Sequence, residues 1–188
     1  KVFSLLTFSL LGLVIAIELF MPLFVSLIAP GFKSDPEKFI LATDLTRITF
    51  PFILFISLAS FFSAILNSHN KFAAASAAPI ILNIVLIIIL LFAKYLDDHL
   101  VIYMSYGVSI AGFIQMIFLI LVLKKIYKPQ FKVNLNIDNK TKSFFKKLLP
   151  SVFSSGVTQV NILIGTIIAS FQAGAVSYLY YADRIYQI

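Results

Sequence analysis

Residues 72–93 read FAAASAAPIILNIVLIIILLFA, and this stretch, which carries no charged side chain, decides the fold. About 20 apolar residues in an α-helix cross the roughly 30 Å hydrocarbon core of a bilayer. Because lipid offers no hydrogen bonds to peptide groups, a spanning segment is a helix or part of a closed barrel. The run does not alternate between polar and apolar residues as a barrel strand does, so it predicts a transmembrane helix.

The same kind of apolar run recurs along the chain. Besides 72–93, the sequence predicts spans at residues 2–29, 48–66, 100–123 and 148–173, and the start of a further span from residue 174. The first run is too long for the core of a signal peptide, which is about 7 to 15 residues, so we interpret it as a span. The expected fold is an all-α polytopic membrane protein with about five complete spans plus the start of a sixth, within one transmembrane region. The chain reads as a piece of a longer protein.

Composition supports a membrane protein. The 188 residues are 60% hydrophobic and 12% charged, with a mean hydropathy of +0.99, whereas about a quarter of the residues in soluble domains are charged. Eight of the fifteen basic residues lie in 124–147, where Asp138 is the only acid. The net charge of +7 therefore reflects one basic loop, and no nucleic-acid partner is predicted. Without cysteine there is no disulfide, no thiolate metal site and no cysteine nucleophile.

The basic loop predicts the orientation of the chain in the membrane. Short loops rich in Lys and Arg stay in the cytoplasm, so residues 124–147 should form a cytoplasmic loop. Counting spans outward puts Lys1 and the 68–71 turn inside as well, and the 30–44 and 96–99 connections outside. The last segment then enters from the outside.

Arg184, in the stretch SYLYYADRIYQI at residues 177–188, is the strongest candidate for a functional residue. At a rise of 1.5 Å per residue it lies roughly 15 Å below Gly174, near the membrane midplane. An arginine at the centre of a span costs about 2.5 to 3.5 kcal/mol on insertion scales and normally faces a cavity or a partner. The guanidinium suits bidentate recognition of phosphate or carboxylate. The alternative is a structural ion pair with a buried acid.

Glu18 and Arg47 are weaker candidates. Glu18 lies within the first span, where a carboxylate pairs with a basic residue, faces water, or binds a coupling ion or proton. Arg47 begins the second span and is a possible ligand residue; snorkelling to the interface, or pairing with Asp44 one helical turn away, would also explain it. Polar amides on or near the spans, such as Gln115, are expected to form interhelical hydrogen bonds.

The sequence predicts no enzyme. His69 and His99 lie in loops on opposite sides of the membrane, which excludes a shared metal site. No metalloprotease, serine-hydrolase or phosphate-loop motif occurs. We therefore expect no catalytic residues, no metal and no cofactor.

Two long stretches carry a resemblance to a known family. They lie at residues 48–83 and 148–187, and their most specific parts are FPFI (50–53), ILNSHNKF (65–72), AP-x-x-LN (78–83) and SYLYYADR (177–184). The chain closely resembles the MurJ/MviN family of lipid II flippases, within the multidrug/oligosaccharidyl-lipid/polysaccharide exporter superfamily.

The resemblance implies more than hydropathy does. It implies fourteen helices in two lobes around a cationic cavity, of which this chain would supply the third through seventh and the start of the eighth. It implies lipid II, the undecaprenyl-pyrophosphate-linked peptidoglycan precursor, as substrate, and a multi-pass protein in the bacterial cytoplasmic (inner) membrane that is surrounded by membrane lipids. We expect a monomer. Arg184 matches the arginine of the eighth helix that helps to hold the pyrophosphate, while relatives carry lysine or arginine at the position of Arg47.

One position departs from the family. Where many relatives have an acidic or amide residue in the seventh helix, this chain has Gly165, within the stretch LIGT at residues 163–166. A cation site inferred from such relatives is therefore in doubt here. Two other functions stay open: an exporter of another lipid-linked glycan or of drugs, and a membrane scaffold that transports nothing.

Overall fold

A computed structural model describes residues 2–92, 95, 100–126 and 139–186. These residues form α-helices and one short 3-10 helix, and no strand occurs among them. The elements are α1 (Val2–Leu19), α2 (Met21–Ile28), a 3-10 helix (Pro30–Ser34), α3 (Pro36–Thr49), α4 (Phe52–Ser68), α5 (Phe72–Leu91), α6 (Leu100–Ile126), α7 (Asn139–Ala169) and α8 (Ala175–Tyr186). The prediction of an all-α polytopic membrane protein is confirmed.

Five helical segments are long and apolar enough to cross a membrane. They are Val2–Leu19, Pro36–Ser68, Phe72–Leu91, Leu100–Ile126 and Lys142–Ala169. The second comprises α3 and α4, which are separated only by Phe50 and Pro51. With several such helices in one chain, the protein is a multi-pass membrane protein.

The first apolar run is divided into two helices. α1 ends at Leu19 and α2 begins at Met21, with Pro22 in the first turn of α2. Proline has no N–H to donate to the carbonyl four residues earlier, here that of Glu18, so the helical hydrogen-bond ladder is interrupted at this point. Hydropathy shows that residues 2–29 are largely apolar, but it does not show the interruption between α1 and α2.

The connection predicted at residues 30–44 is largely helical. α3 begins at Pro36, and the Asp35 side chain accepts a hydrogen bond from the Lys38 N–H at 3.2 Å. Proline in the first turn and an aspartate just before it are typical of helix starts. Because this helix begins with polar residues, a search for apolar runs places its start too late.

The predicted basic loop is shortened at both ends by helix. α6 continues to Ile126, and α7 begins at Asn139 rather than at residue 148. Residues 127–138 lie outside the described residues, as do Lys1 and residues 96–99. The predicted membrane orientation, which depends on these segments, stays a prediction.

The described residues fall into two compact units. The first comprises those within 1–19 and 45–135, and the second those within 20–44 and 136–188. In the first unit α4, α5 and α6 pack on one another and α1 packs on α4. Their shared core consists of Leu58, Ala59, Phe62, Leu66, Ala78, Leu119 and Leu123. The Ser109 hydroxyl donates a hydrogen bond to the Ile48 carbonyl at 2.6 Å and so ties α6 to α3.

The second unit is held by a close backbone approach between the 3-10 helix and the end of α7. The Gly31 N–H donates a hydrogen bond to the Ser170 hydroxyl oxygen at 3.0 Å, and that hydroxyl donates to the Ile167 carbonyl at 2.7 Å. A Cβ atom on Gly31 would collide with the Ser170 carbonyl, so only glycine fits here. The chain then turns into α8 through Gly174, whose φ of +76° is the left-handed conformation that glycine adopts readily.

Candidate functional site

Arg184 lies in the last turn of α8, and its side chain is exposed. The central carbon of its guanidinium is 5.0 Å from the centre of the Tyr180 ring. The two residues are four positions apart, so they share one face of the helix. A cation above an aromatic face within about 6 Å is attracted by the ring quadrupole. Tyr180 therefore helps to hold the guanidinium in place.

A cavity of about 380 Å³ lies between α7 and α8. Tyr180 lines this cavity as well as contacting Arg184. The other polar side chains that line it are Asn161, Thr166 and Asp183. The Thr166 hydroxyl donates to the Ile162 carbonyl of its own helix at 2.9 Å. The groove therefore presents polar groups and is connected to Arg184 through the shared residue Tyr180.

Gly165 forms part of the wall of this cavity. A Cβ atom built on Gly165 would lie 3.4 Å from Cδ2 of Leu179, which is ordinary van der Waals contact. The position therefore has room for a methyl group, but the glycine contributes no side-chain oxygen to the groove.

Glu18 and Arg47 form an ion pair. Oε2 of Glu18 lies 3.5 Å from Nε of Arg47 and joins the last turn of α1 to the last turn of α3. The Arg47 side chain is 48% exposed and that of Glu18 is 24% exposed. The second carboxylate oxygen of Glu18, Oε1, is buried without a hydrogen-bond partner among the described residues. Arg47 thus provides the opposite charge that an intramembrane carboxylate requires.

The sequence candidates are distributed over both units. Glu18 and Arg47 are brought together in the first unit, and Arg184 belongs to the second. Among the described residues, the ion pair of Arg47 is with Glu18 and not with Asp44, which the sequence spacing had suggested. The spacing of residues within α3 does not show where α1 packs. The sequence therefore did not indicate that Glu18 would be the ion-pair partner of Arg47.

Comparison with known proteins gives the family. The family model described as "Lipid II flippase MurJ" matches residues 1–188. The chain belongs to the MurJ lipid II flippase family. Two MurJ relatives, each described as "Probable lipid II flippase MurJ", come from Rickettsia prowazekii (strain Madrid E), at 41% identity, and Rhizobium meliloti (strain 1021), at 40%. Both alignments cover 100% of this chain. A third, from Buchnera aphidicola subsp. Acyrthosiphon pisum (strain APS), is 36% identical over 98% of the chain.

The chain spans little more than a third of the length of these MurJ relatives. It covers 37% of the Rickettsia protein and 36% of the Rhizobium and Buchnera proteins.

Sequence reasoning missed one long-range contact in the second unit. The Gly31 to Ser170 contact joins residues 139 positions apart, and its only sequence signal was the Pro-Gly pair at residues 30–31.

His99, named in the argument against a metal site, lies outside the described residues. Within the described part of the chain, no group of three or more His, Asp or Glu side chains is placed to hold a metal ion.

Proposed function

We propose that the full-length protein is a flippase that moves lipid II from the inner to the outer leaflet of the bacterial cytoplasmic membrane. The observation that carries this proposal is the match of the whole chain to the lipid II flippase family. The relatives named above are described as probable lipid II flippases over the same residues. The reaction is transport and not chemistry, so the protein needs binding groups and a conformational change instead of a catalytic centre or a cofactor. It acts as a monomer.

Arg184 is the proposed pyrophosphate ligand of this chain. Arg184 is exposed, and its guanidinium, which carries five N–H donors, lies over the Tyr180 ring that lines the polar groove. Those N–H groups form a planar fork that matches two phosphate oxygens at once. Aromatic support limits the rotamers of the side chain, so less conformational entropy is lost when the anion binds.

Arg47 is a second, more peripheral candidate ligand. Its shortest contact to Glu18 is through Nε, and about half of the side chain is exposed. We propose that Glu18 holds Arg47 in place and that protonation of Glu18, or binding of a cation to it, releases Arg47 during the transport cycle. The buried Oε1 atom supports this proposal, because it has an open capacity to accept a proton or a cation.

Transport by alternating access requires more than a basic pocket. A ligand shifts a conformational equilibrium only to the extent that it binds one state more tightly than the other. In the proposed cycle the anionic head group binds in the cavity, the prenyl tail stays in lipid, and the two lobes rock. Arg184 stabilises the conformational state in which its guanidinium reaches the pyrophosphate.

Depletion of the full-length protein in its own cells tests the proposed function. The expected result is accumulation of lipid II on the inner leaflet, reversed when the intact protein is restored. If a different lipid-linked glycan accumulates instead, the protein is an exporter of that glycan. Absence of any precursor accumulation would contradict the proposal and would favour a membrane scaffold or a drug exporter.

A further inference from the structure

A second polar cavity lies between α4, α5 and α6 of the first unit and opens at its surface, where Ser60, Asn67 and Pro79 are exposed. The proposed transport function does not use it. Its volume is about 320 Å³. The polar side chains that line it are Ser60, Ser63, Asn67 and Gln115, and the rest of the wall is apolar and mostly small. These three helices are all among the segments apolar enough to span a membrane. A polar pocket in such a place requires an explanation.

Gln115 is the most deeply buried polar group of this cavity. The residue is 1% exposed, and its Oε1 atom is buried without a hydrogen-bond partner among the described residues. Buried side-chain oxygens almost always accept a hydrogen bond, from the protein or from an ordered water. Gln115 lines the open cavity, so a molecule bound there, or a group of the protein outside the described residues, can supply the missing hydrogen bond.

Pro79 removes one backbone donor from α5 next to the same cavity. It lies inside α5 and lines the cavity together with Ala75. Residue 79 would normally donate its N–H to the carbonyl of Ala75, four residues earlier, and proline has no N–H to donate. In transmembrane helices such freed carbonyls are satisfied by neighbouring side chains or by ordered water.

We propose that this cavity is a hydration site, where a small cluster of water molecules bridges the Gln115 amide oxygen of α6 to the Ala75 carbonyl of α5. Each water occupies about 30 Å³ in the liquid, so the cavity has ample room, and buried waters typically make about three hydrogen bonds to polar groups. The Ser60 and Ser63 hydroxyls of α4 complete the set of partners.

The chemistry of the lining favours water over the other possible occupants. No carboxylate among the described residues lines the cavity, and a cation between membrane helices without an opposite charge is strongly disfavoured. A lipid chain would leave the Gln115 oxygen and the Ala75 carbonyl without hydrogen bonds. Water donates to both and carries no charge.

Radiolytic hydroxyl-radical footprinting of the full-length protein in lipid nanodiscs tests this site, because bound water generates radicals that oxidise adjacent side chains. The core supplies a matched internal pair: Leu119 and Leu66 are both 0% exposed, and only Leu119 lines the cavity. The expected result is that Leu119 is oxidised several-fold faster than Leu66. Equal rates would overturn the proposal, and this comparison needs no variant.

Substitutions then identify the group that holds the water. Gln115→Met keeps the length of the side chain and removes the amide, so the oxidation rate of Leu119 should fall to that of Leu66. Gln159→Met, on an exposed position of α7, should leave it unchanged. An unchanged Leu119 rate in Gln115→Met contradicts the proposal. If replacing choline by Na⁺ in the buffer suppresses Leu119 oxidation, the site binds a cation and the proposal of a hydration site is wrong.

Discussion

Oε2 of Glu18 lies 3.5 Å from Nε of Arg47, and this ion pair joins two helices whose charged residues are 29 positions apart in the chain. It explains how a carboxylate is retained inside an apolar segment. Because the Arg47 side chain is 48% exposed, the attraction is partly screened, and the pair contributes less to stability than a fully buried one would.

A double-mutant cycle measures this pair. Glu18→Gln and Arg47→Gln should each lower the thermal stability of the full-length protein in detergent, since each leaves one charge in the membrane region without its partner. The double variant should lose less than the two single losses combined. Glu37→Gln, an exposed carboxylate in the first turn of α3, serves as the control and should remain close to wild type. Strictly additive losses would show that the pair carries no coupling energy.

The proposed role of Glu18 leads to a prediction about how transport is coupled to a proton or a cation. If the transport cycle uses protonation of Glu18 or binding of a cation to it, Glu18→Gln should change the pH or ion dependence of transport. The measurement is the rate of lipid II translocation in proteoliposomes over a range of pH and of Na⁺ concentration. An unaltered dependence would rule out the coupling role and leave the ion pair with Arg47 as purely structural.

The backbone contact between Gly31 and Ser170 predicts an unusually severe effect of one methyl group. Gly31→Ala forces a Cβ atom against the Ser170 carbonyl, and overpacking of this kind typically costs about 1 to 3 kcal/mol. Gly12→Ala is the matched control, because a Cβ atom there has nothing within 4 Å among its neighbours. Thermal unfolding of the two full-length variants checks the prediction, and equal melting temperatures would refute it.

Ser170→Ala tests the hydrogen bond of the same contact separately from its packing. The substitution removes the acceptor of the Gly31 N–H, and the net loss expected for one hydrogen bond is about 1 kcal/mol. Ser170→Ala should therefore be milder than Gly31→Ala in the same unfolding measurement. A larger loss in Ser170→Ala would mean that the hydrogen bond, and not the close approach, determines stability at this contact.

The helices were predictable because lipid imposes a simple requirement. An apolar run as long as residues 72–93 has to form a helix to satisfy its own backbone, and α5 (Phe72–Leu91) does so. α3 was largely missed because it begins with the polar sequence PEK, so its start depends on the Asp35 hydrogen bond and not on hydropathy.

The contacts between helices were not predictable in the same way. Helical spacing gave Arg47 a neighbour in Asp44, but the choice of Glu18 depends on where α1 packs. Gln115 was expected to form an interhelical hydrogen bond, yet its Oε1 has no partner among the described residues. Such outcomes are decided by tertiary packing, which a single sequence does not contain. Arg184 stood out from sequence because an arginine is costly in an apolar segment, while its contact with Tyr180 needed the helix geometry.

The most direct test of the account is lipid II translocation by full-length Arg184 variants at matched protein abundance. Lys33→Ala, which removes one exposed positive charge from the 3-10 helix, is the control and should transport normally. We expect Arg184→Ala to lose transport and Arg184→Lys to be clearly impaired, because lysine keeps the charge but not the bidentate fork. Full activity of both Arg184 variants would contradict the proposal that this arginine binds the pyrophosphate of the substrate.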